Sequence, residues 1–199
     1  MLTLHAADGS PETAVLVDGA RIAAVGPYEE LAEAHQDARL RRWPGLLLPG
    51  LLNPYAPELL ERTYHPDPRE ADAYGTEPVT GARAAELLRA DPSRPGASAR
   101  RGVQRMLAHG TVAVAGELRT RAAADAVRRA GLATGRRPDV LPGPPSFSPT
   151  PLVLLPRPTP GAPARFAVFA VADTAELVRR GASTCVATIL DGRLVYRAR

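Results

Sequence analysis

Residues 13–27 read Thr-Ala-Val-Leu-Val-Asp-Gly-Ala-Arg-Ile-Ala-Ala-Val-Gly-Pro. Two apolar runs flank Asp18-Gly19, a pair whose residues tolerate the positive φ angles of a tight turn. The stretch therefore predicts a β-hairpin. A second pair, Asp191-Gly192, divides residues 185–196 in the same way. The chain is thus predicted to have β-structure at both ends, and we expect the two ends to form halves of one sheet.

Further strands and helices are predicted beside both hairpins. Residues 28–35 have helical spacing, and residues 39–43 alternate as a half-buried strand does. The apolar run 166–171 predicts another strand. A short helix follows it, capped by Asp173 or Thr174.

The middle of the chain has a helix–strand–helix pattern. Residues 102–109 predict an amphipathic helix, residues 112–115 a buried strand, and residues 122–130 a second helix that Gly131 closes. Residues 140–163 are dense in proline and predict an extended linker back to the C-terminal strands. We therefore expect about two βα units between the β-rich ends.

Residues 49–57 read Pro-Gly-Leu-Leu-Asn-Pro-Tyr-Ala-Pro. This stretch, the hairpin of residues 14–27 and the closing hairpin of residues 188–196 resemble segments of the metal-dependent amidohydrolases, a superfamily that includes imidazolonepropionase. The resemblance covers residues 12–57, 97–132 and 164–197.

The resemblance implies a mixed α/β fold in two parts. In full-length members the two ends join into a composite β-sandwich that flanks a metal-bearing barrel. We therefore expect residues 1–50 and 151–199 to form a composite β-sandwich domain. Residues 51–150 are expected to be a truncated remnant of a TIM-like (β/α) barrel together with the proline-rich linker.

The resemblance also locates a metal site whose ligands are replaced. Two histidines on the first barrel strand of the family correspond to Tyr55 and Pro57 here. Proline has no ligand atom, and a neutral tyrosine is a poor donor to a divalent ion. We expect Tyr55 to project where the metal would sit and to fill that pocket.

The length of the middle segment leads to the same expectation. A closed barrel needs about 250 residues and each βα unit on the order of 30, so residues 51–150 hold two or three units. The later ligands of the family, histidines on the fifth and sixth strands and an aspartate on the eighth, have no room. We expect no cofactor; a divalent metal such as zinc belongs to the alternative of an active enzyme.

The leading expectation assigns no catalytic residue, and three residues remain as candidates: His65, Asp67 and Glu117. His65 with Asp67 or Glu70 could ligate a divalent ion if their loop folds back. A solvated surface turn explains the same prolines and charges. Glu117 follows the strand of residues 112–115, at the end where barrel enzymes place functional groups.

The other histidines and the single cysteine have structural interpretations. His109 precedes Gly110 at a helix end, where a histidine interacts with the helix dipole. His5 and His35 are expected to face solvent or to cap local structure. Cys185 lies in an apolar strand and is expected to be a buried structural thiol.

Composition excludes several classes of protein. All 25 basic residues are arginine, so a Schiff-base or carbamylated lysine is impossible. The arginines are scattered beside Asp and Glu, and aromatic residues make up only 5%, which argues against nucleic-acid binding despite a net charge of +4. No apolar run is long enough to span a membrane, and no signal peptide is evident. With one cysteine, we expect a cytoplasmic protein.

Three functions remain open. The leading hypothesis is a catalytically degenerate amidohydrolase-like protein that acts as a binding, scaffold or regulatory module. One alternative is a metal-dependent hydrolase of cyclic, non-peptide C–N bonds; another is a small-molecule binder that uses the apolar rim of the truncated barrel. Two parallel strands leave an unpaired edge, which the proline-rich segment, residues 59–90, a second copy or another protein is expected to cover.

Overall fold

The N-terminal part of the chain forms one four-stranded sheet. The computed structural model describes residues 1–198. The strands and helix of this part are β1 (Leu2–Ala7), β2 (Ala14–Asp18), β3 (Arg21–Gly26), α1 (Tyr28–Ala34) and β4 (Arg39–Trp43). The strand order is β3-β2-β1-β4, with β4 parallel to β1 and the other pairs antiparallel. The predicted hairpin is confirmed, because Asp18 pairs with Arg21 across the turn at Gly19, where φ is +56°.

The C-terminal strands belong to a second sheet, so the expectation that both ends form one sheet is wrong. The second sheet contains β5 (Leu46–Leu48), β9 (Phe166–Phe169), β10 (Cys185–Leu190) and β11 (Arg193–Arg197), all antiparallel in the order β11-β10-β9-β5. The chain turns at Pro44-Gly45 after β4 and adds β5 to the C-terminal strands. Each terminal hairpin therefore has its own sheet.

The two sheets pack against each other over a shared apolar core. Val15 and Trp43 of the first sheet lie in one buried cluster with Phe166, Val168 and Ile189 of the second. Burying side chains of this size removes enough apolar surface from water to dominate the local free energy of folding. The helix α7 (Thr174–Arg180) follows β9, and its predicted cap is confirmed, because the Asp173 Oδ1 accepts from the Glu176 N–H at 2.7 Å.

A third sheet, of three parallel strands, lies between the two β-rich ends in sequence. Its strands are β6 (Leu51–Asn53), β7 (Thr111–Ala115) and β8 (Ala133–Gly135), in the order β6-β7-β8. Its helices are α2 (Ala56–Glu61), α3 (Ala71–Tyr74), α4 (Gly81–Ala90), α5 (Arg94–Ala108) and α6 (Arg121–Ala130). The predicted helix–strand–helix pattern is confirmed, and α5 begins eight residues before the predicted helix at Gly102. Gly131 ends α6 in the left-handed conformation, with φ +79°.

The helices cover one face of the parallel sheet. Val112 and Val114 of β7 belong to the same buried cluster as Val103, Met106 and Val127 of α5 and α6. The opposite face carries Leu52, Ala113 and Ala115, which pack with Val153 and Leu155. All five residues of β7 are buried, as expected for a central strand covered on both faces.

The proline-rich segment docks on this sheet. We refer to residues 141–155 as the strap. Leu154 forms an antiparallel bridge with Leu51, the Leu52 N–H donates to the Val153 carbonyl at 2.8 Å, and the Leu155 N–H donates to the Gly50 carbonyl at 3.1 Å. The strap thus covers the outer edge of β6 and one face of the sheet.

The helices differ in length and in polarity. The helix α5, at 15 residues, has its buried residues on one side and arginines on the other. Within residues 1–198, no helix combines the length and the apolar composition needed to cross a membrane.

Replacement of Gly45 by alanine should strongly destabilise the packing of the two sheets. Gly45 has φ +81°, and a Cβ there would overlap the Phe169 carbonyl oxygen and lie 2.8 Å from the Val171 nitrogen. We expect the free energy of unfolding to fall by about 3 kcal/mol or more, measured by urea denaturation followed by Trp43 fluorescence. Gly19→Ala is the control, because Gly19 also has positive φ but has open space around its Cβ position. Equal losses for both variants would contradict the close packing at Gly45.

Candidate functional site

The carboxyl end of the parallel sheet is closed by the strap. Asn53, at the end of β6, donates from Nδ2 to the Ser146 carbonyl at 2.9 Å and accepts from the Tyr55 N–H at 3.0 Å. The Tyr55 hydroxyl donates to the Gly143 carbonyl. Tyr55 is 1% exposed, so its ring is fully used in packing. The side chain of Asn53, at the end of β6, and that of Tyr55, two residues later, therefore hold the strap through its backbone.

Pro57 lies in the first turn of α2 and packs on the end of β7. A Cβ on Gly116, which has φ +102°, would lie 2.6 Å from the Pro57 Cδ. Proline suits this position because the first turn of a helix needs no N–H donor. The backbone of Gly116 and the ring of Pro57 thus fill the space between β6 and β7.

An ion pair borders this closed end. The Arg137 Nη2 lies 2.8 Å from the Glu58 Oε1, and the guanidinium lies 5.9 Å from the centre of the Tyr55 ring. The Arg137 Nε and the Glu58 Oε2 are buried without a protein partner. Sequence reasoning missed this pair, because the two residues are 79 positions apart and neither belongs to a recognisable motif.

Tyr55 and Pro57, which by the resemblance correspond to metal-binding histidines of the amidohydrolases, are not suited to bind a metal ion. The Tyr55 oxygen donates its proton to a carbonyl, and Pro57 offers no ligand atom. Among residues 1–198, no three His, Cys, Asp or Glu side chains lie together in an arrangement that could hold a metal ion. His65, Asp67 and Glu117 are therefore not assembled into such a group.

Residues 63–66 are buried, so the interpretation as a solvated surface turn is wrong for His65, whereas Pro68 and Arg69 of the same stretch are exposed. His65 is fully buried; its N–H donates to the Ser98 Oγ at 2.9 Å, and Arg101 Nε donates to its carbonyl at 2.7 Å. The reason is that α5 approaches closely at Gly102, where a Cβ would lie 2.7 Å from the His65 Nε2. Asp67 is half-buried and pairs with Arg101 at 3.1 Å, while Glu117 is exposed beyond β7.

His65 is held as a neutral imidazole. Its Nε2 lies 2.7 Å from the Leu59 carbonyl, which can only accept, so Nε2 carries the proton and the buried Nδ1 has no partner. Burial lowers the pKa of His65 to about 4, and the positive charges of Arg105 and Arg101 act in the same direction. A group in this state can neither bind a proton at neutral pH nor reach solvent.

Phe147 of the strap lies against two imidazole rings. Its ring centre is 5.7 Å from that of His65 and 5.6 Å from that of His109. His109 caps the end of α5, as predicted, with Nδ1 2.7 Å from the Arg105 carbonyl. Phe147 is thus the apolar anchor of the strap, and no sequence signal points to it beyond its being one of three phenylalanines.

His5 and Cys185 are both buried away from this region. The expectation that His5 faces solvent is wrong: it is 2% exposed, accepts from the Trp43 Nε1 at 3.2 Å and packs edge-on against Phe166. Burial, followed by the charge of Arg41, lowers the pKa of His5 to about 4. Cys185 is buried as predicted, and burial raises the pKa of its thiol to about 11.

A groove of about 510 Å³ lies beside β8, on the helix-covered side of the sheet. Leu118, Val127 and Leu132 give it an apolar wall, and Thr134 of β8 borders it. Arg165 also lines the groove and makes a two-pronged ion pair with Asp191, at 2.8 and 3.1 Å. This groove is an open concave surface that the strap does not cover.

Comparison with known proteins gives one match in sequence and several in structure. Residues 14–35 match the family model of the imidazolonepropionase-like composite domain of bacteria. This match confirms, for that segment, the resemblance that the N-terminal hairpin predicts. No curated protein matches the chain in sequence.

The solved structures that match include two enzymes. Ochratoxinase from A. niger aligns with a TM-score of 0.42 and 19% identity, over 68% of this chain and 31% of the enzyme. Guanine deaminase from Bradyrhizobium japonicum aligns with a TM-score of 0.40 and 17% identity, over 62% of this chain and 27% of that one. The chain therefore spans less than a third of the length of either enzyme.

Removal of the Tyr55 hydroxyl should loosen the strap. Tyr55→Phe keeps the buried ring and deletes the bond to the Gly143 carbonyl, which should cost about 1 kcal/mol. We expect chymotrypsin to cleave after Phe147 about fivefold faster, because opening of the strap becomes more frequent. Tyr28→Phe is the control, since the Tyr28 ring stacks on Arg42 in the first sheet. Unchanged cleavage after Phe147 would show that Tyr55 does not restrain the strap.

Stability should fall in mild acid because two histidines are buried as neutral groups. The unfolded chain binds protons near pH 6.5, whereas folded His5 and His65 bind them only near pH 4. The unfolded state therefore holds more protons between these values, and the free energy of unfolding decreases as pH falls through this window. Each histidine should contribute up to about 3 kcal/mol of this loss, with none above pH 6.5.

Urea denaturation at pH 7.5, 6, 5 and 4.5 would measure this dependence. His65→Gln should flatten the pH profile between pH 6.5 and 4, although it lowers stability at neutral pH. A profile as steep in His65→Gln as in the parent would exclude His65 as a source of the acid sensitivity.

Proposed function

We propose that this protein is a catalytically inactive, amidohydrolase-like binding protein. In this proposal the two packed four-stranded sheets are a composite β-sandwich made from residues 1–50 and from the part of residues 151–199 that follows the strap. The parallel sheet and its helices, within residues 51–150, are a truncated remnant of a barrel. The match of residues 14–35 to the composite-domain model supports the relationship.

The observation that carries the proposal is the closure of the carboxyl end of the parallel sheet by the chain itself. Parallel α/β sheets bind their ligands at this end. Here the Tyr55 hydroxyl and the Asn53 amide donate hydrogen bonds to carbonyl oxygens of the strap, and Pro57 packs on Gly116. A substrate at this place would have to displace a buried tyrosine and two backbone contacts.

The alternative of a metal-dependent hydrolase has less support. A bound water with a pKa near 7 needs a metal held by about three ligands. His65 offers an enclosed nitrogen, Asp67 is engaged by Arg101, and Glu117 is exposed on a loop beyond β7. We propose that these residues have structural or surface roles and that the protein has no resident cofactor.

Binding of a small molecule is the second candidate, supported by the groove beside β8. Its volume of about 510 Å³ lies within the range of ligand pockets, and its walls are mostly apolar. A thermal shift with a metabolite library, without turnover, would favour this candidate. The absence of any shift would favour a protein partner.

Metal content and turnover test the central proposal. We expect protein purified without an affinity tag to hold substoichiometric Zn, Mn, Fe and Ni by elemental analysis. We also expect no hydrolysis of cyclic amides after incubation with each metal, because the ligand positions do not fit. Chelator-sensitive turnover that Glu117→Gln abolishes, and the matched surface change Glu86→Gln preserves, would overturn the proposal.

A further inference from the structure

The two edges of the parallel sheet are treated differently. The outer edge of β6 pairs with Leu154 of the strap. The other edge is β8, which pairs only with β7, and within residues 1–198 no other backbone segment bonds to its outer side. Thr134 and Gly135 of β8 are exposed. An edge of this kind offers N–H and C=O groups that another extended chain can pair with.

The groove described above adjoins this edge. Leu118 follows β7, Val127 is on α6, and Leu132 and Thr134 are at β8, so the groove lies along the helix-covered side of the edge. Side chains alternate between the two faces of a strand. A strand added to β8 would therefore direct every second side chain towards the groove, and apolar side chains would fit its walls.

The surface around the edge is basic. Between residues 116 and 139, arginines outnumber Asp and Glu by six to three. Arg128, which lines the groove, pairs with Asp125 at 2.6 Å, but its side chain is 73% exposed. Arg136, directly after β8, pairs with Asp139, and both side chains are more than 80% exposed. Exposed ion pairs contribute little, so both arginines remain available to a partner.

The basic charge of this surface distinguishes between the partners that could pair with β8. A second copy of the chain, joined through β8, would bring the same basic residues together and would be repelled. An extended segment with acidic side chains would instead meet opposite charge at Arg128, beside the groove, and at Arg136, directly after β8. The basic surface therefore favours an acidic peptide over self-association.

We propose that β8 binds an acidic, extended segment of a partner protein as a fourth strand of the parallel sheet. Apolar side chains of that segment occupy the groove, and carboxylates that flank them on the same face of the strand contact Arg128 and Arg136. This inference rests on the proposed function as a binding protein and adds the site and the chemistry of the partner. Backbone pairing supplies affinity, while the groove and the arginines supply specificity.

The probe is a capped nine-residue peptide in which alternate central residues are Val or Leu, with Glu flanking them on the same face of the strand. We expect saturable binding in a fluorescence anisotropy titration, weaker at high salt because exposed charges are screened. Two control peptides separate the contributions. One replaces Glu by Arg and should not bind; the other keeps every side chain but carries N-methyl groups on alternate amides, which removes the donors that a new strand needs.

Arg128→Glu should weaken binding of the acidic probe by about tenfold or more, as expected for loss of a contact between charged groups. Arg121→Glu is the matched control, because Arg121 is on the same helix and also pairs with Asp125, but it does not line the groove. Both positions are exposed, so both variants should fold, and their circular dichroism spectra would verify this. The control variant should bind within about twofold of the parent.

Each other outcome overturns the inference. Absence of saturable binding excludes β8 as the peptide site, and equal binding of the N-methylated probe shows that no new strand forms. An equal loss of peptide affinity in Arg128→Glu and Arg121→Glu would show that the groove is not part of the binding site. A concentration-dependent dimer in sedimentation, which the acidic probe does not dissociate, assigns the edge to a second copy. These failures leave the proposed lack of catalysis intact, because that proposal fails only on metal-dependent turnover.

Discussion

The backbone pairing between the strap and β6 is the contact on which the rest of the parallel sheet depends. A sheet of three short parallel strands has two edges and two faces, and its helices cover only one face. The bonds of Leu52 and Leu155 to Val153 and Gly50 close one edge, and the Val153 and Leu155 side chains cover the second face. Without these contacts, Leu52 and Ala113 would be open to water, and the cost would scale with that apolar area.

The strap also explains why the carboxyl end of the sheet has become a packing site. It must cross this end to return from β8 to β9, so its carbonyls come to lie beside Asn53 and Tyr55. These carbonyl oxygens accept from the asparagine amide and the tyrosine hydroxyl, which ties the strap to the end of β6. Phe147 then fills the space between two histidines, one of which is protected from protonation by its burial. A position that could hold a ligand is thereby occupied by the main chain.

Local sequence signals predicted the elements well and their partners poorly. The Asp-Gly turns, the Asp173 cap and Gly131 act within a few residues, so the hairpins and α6 and α7 could be predicted from the sequence. The division of the terminal strands into two sheets depends on β5, a run of three leucines whose partner β9 is about 120 residues away. No local pattern encodes that choice. It follows from the turn at Gly45 and from the packing of two apolar faces.

The residues of the candidate site also differ in whether a local sequence pattern predicts them. Tyr55 and Pro57 were found because they stand in a motif, whereas Glu58, Arg137 and Phe147 act across long sequence separations. The burial of His65 could not be predicted either. Its neighbours Pro66, Asp67 and Arg69 are typical of a surface turn, and the close approach of α5 at Gly102 encloses His65 while Arg69 stays exposed. Polar residues next to proline therefore predict a turn, but not which of its residues are buried.

The asymmetry between the two edges is the feature that connects this fold to a function. Natural proteins usually cover, shorten or charge the edges of their sheets to avoid unwanted pairing. This chain covers the edge of β6 with residues 153–155 of the strap, yet it leaves β8 beside an apolar groove and arginines. β8 is only three residues long, so the backbone alone gives it little affinity for unrelated strands. Affinity must then come from side chains in the groove and from charge, and these are the two properties that make an edge selective for one partner.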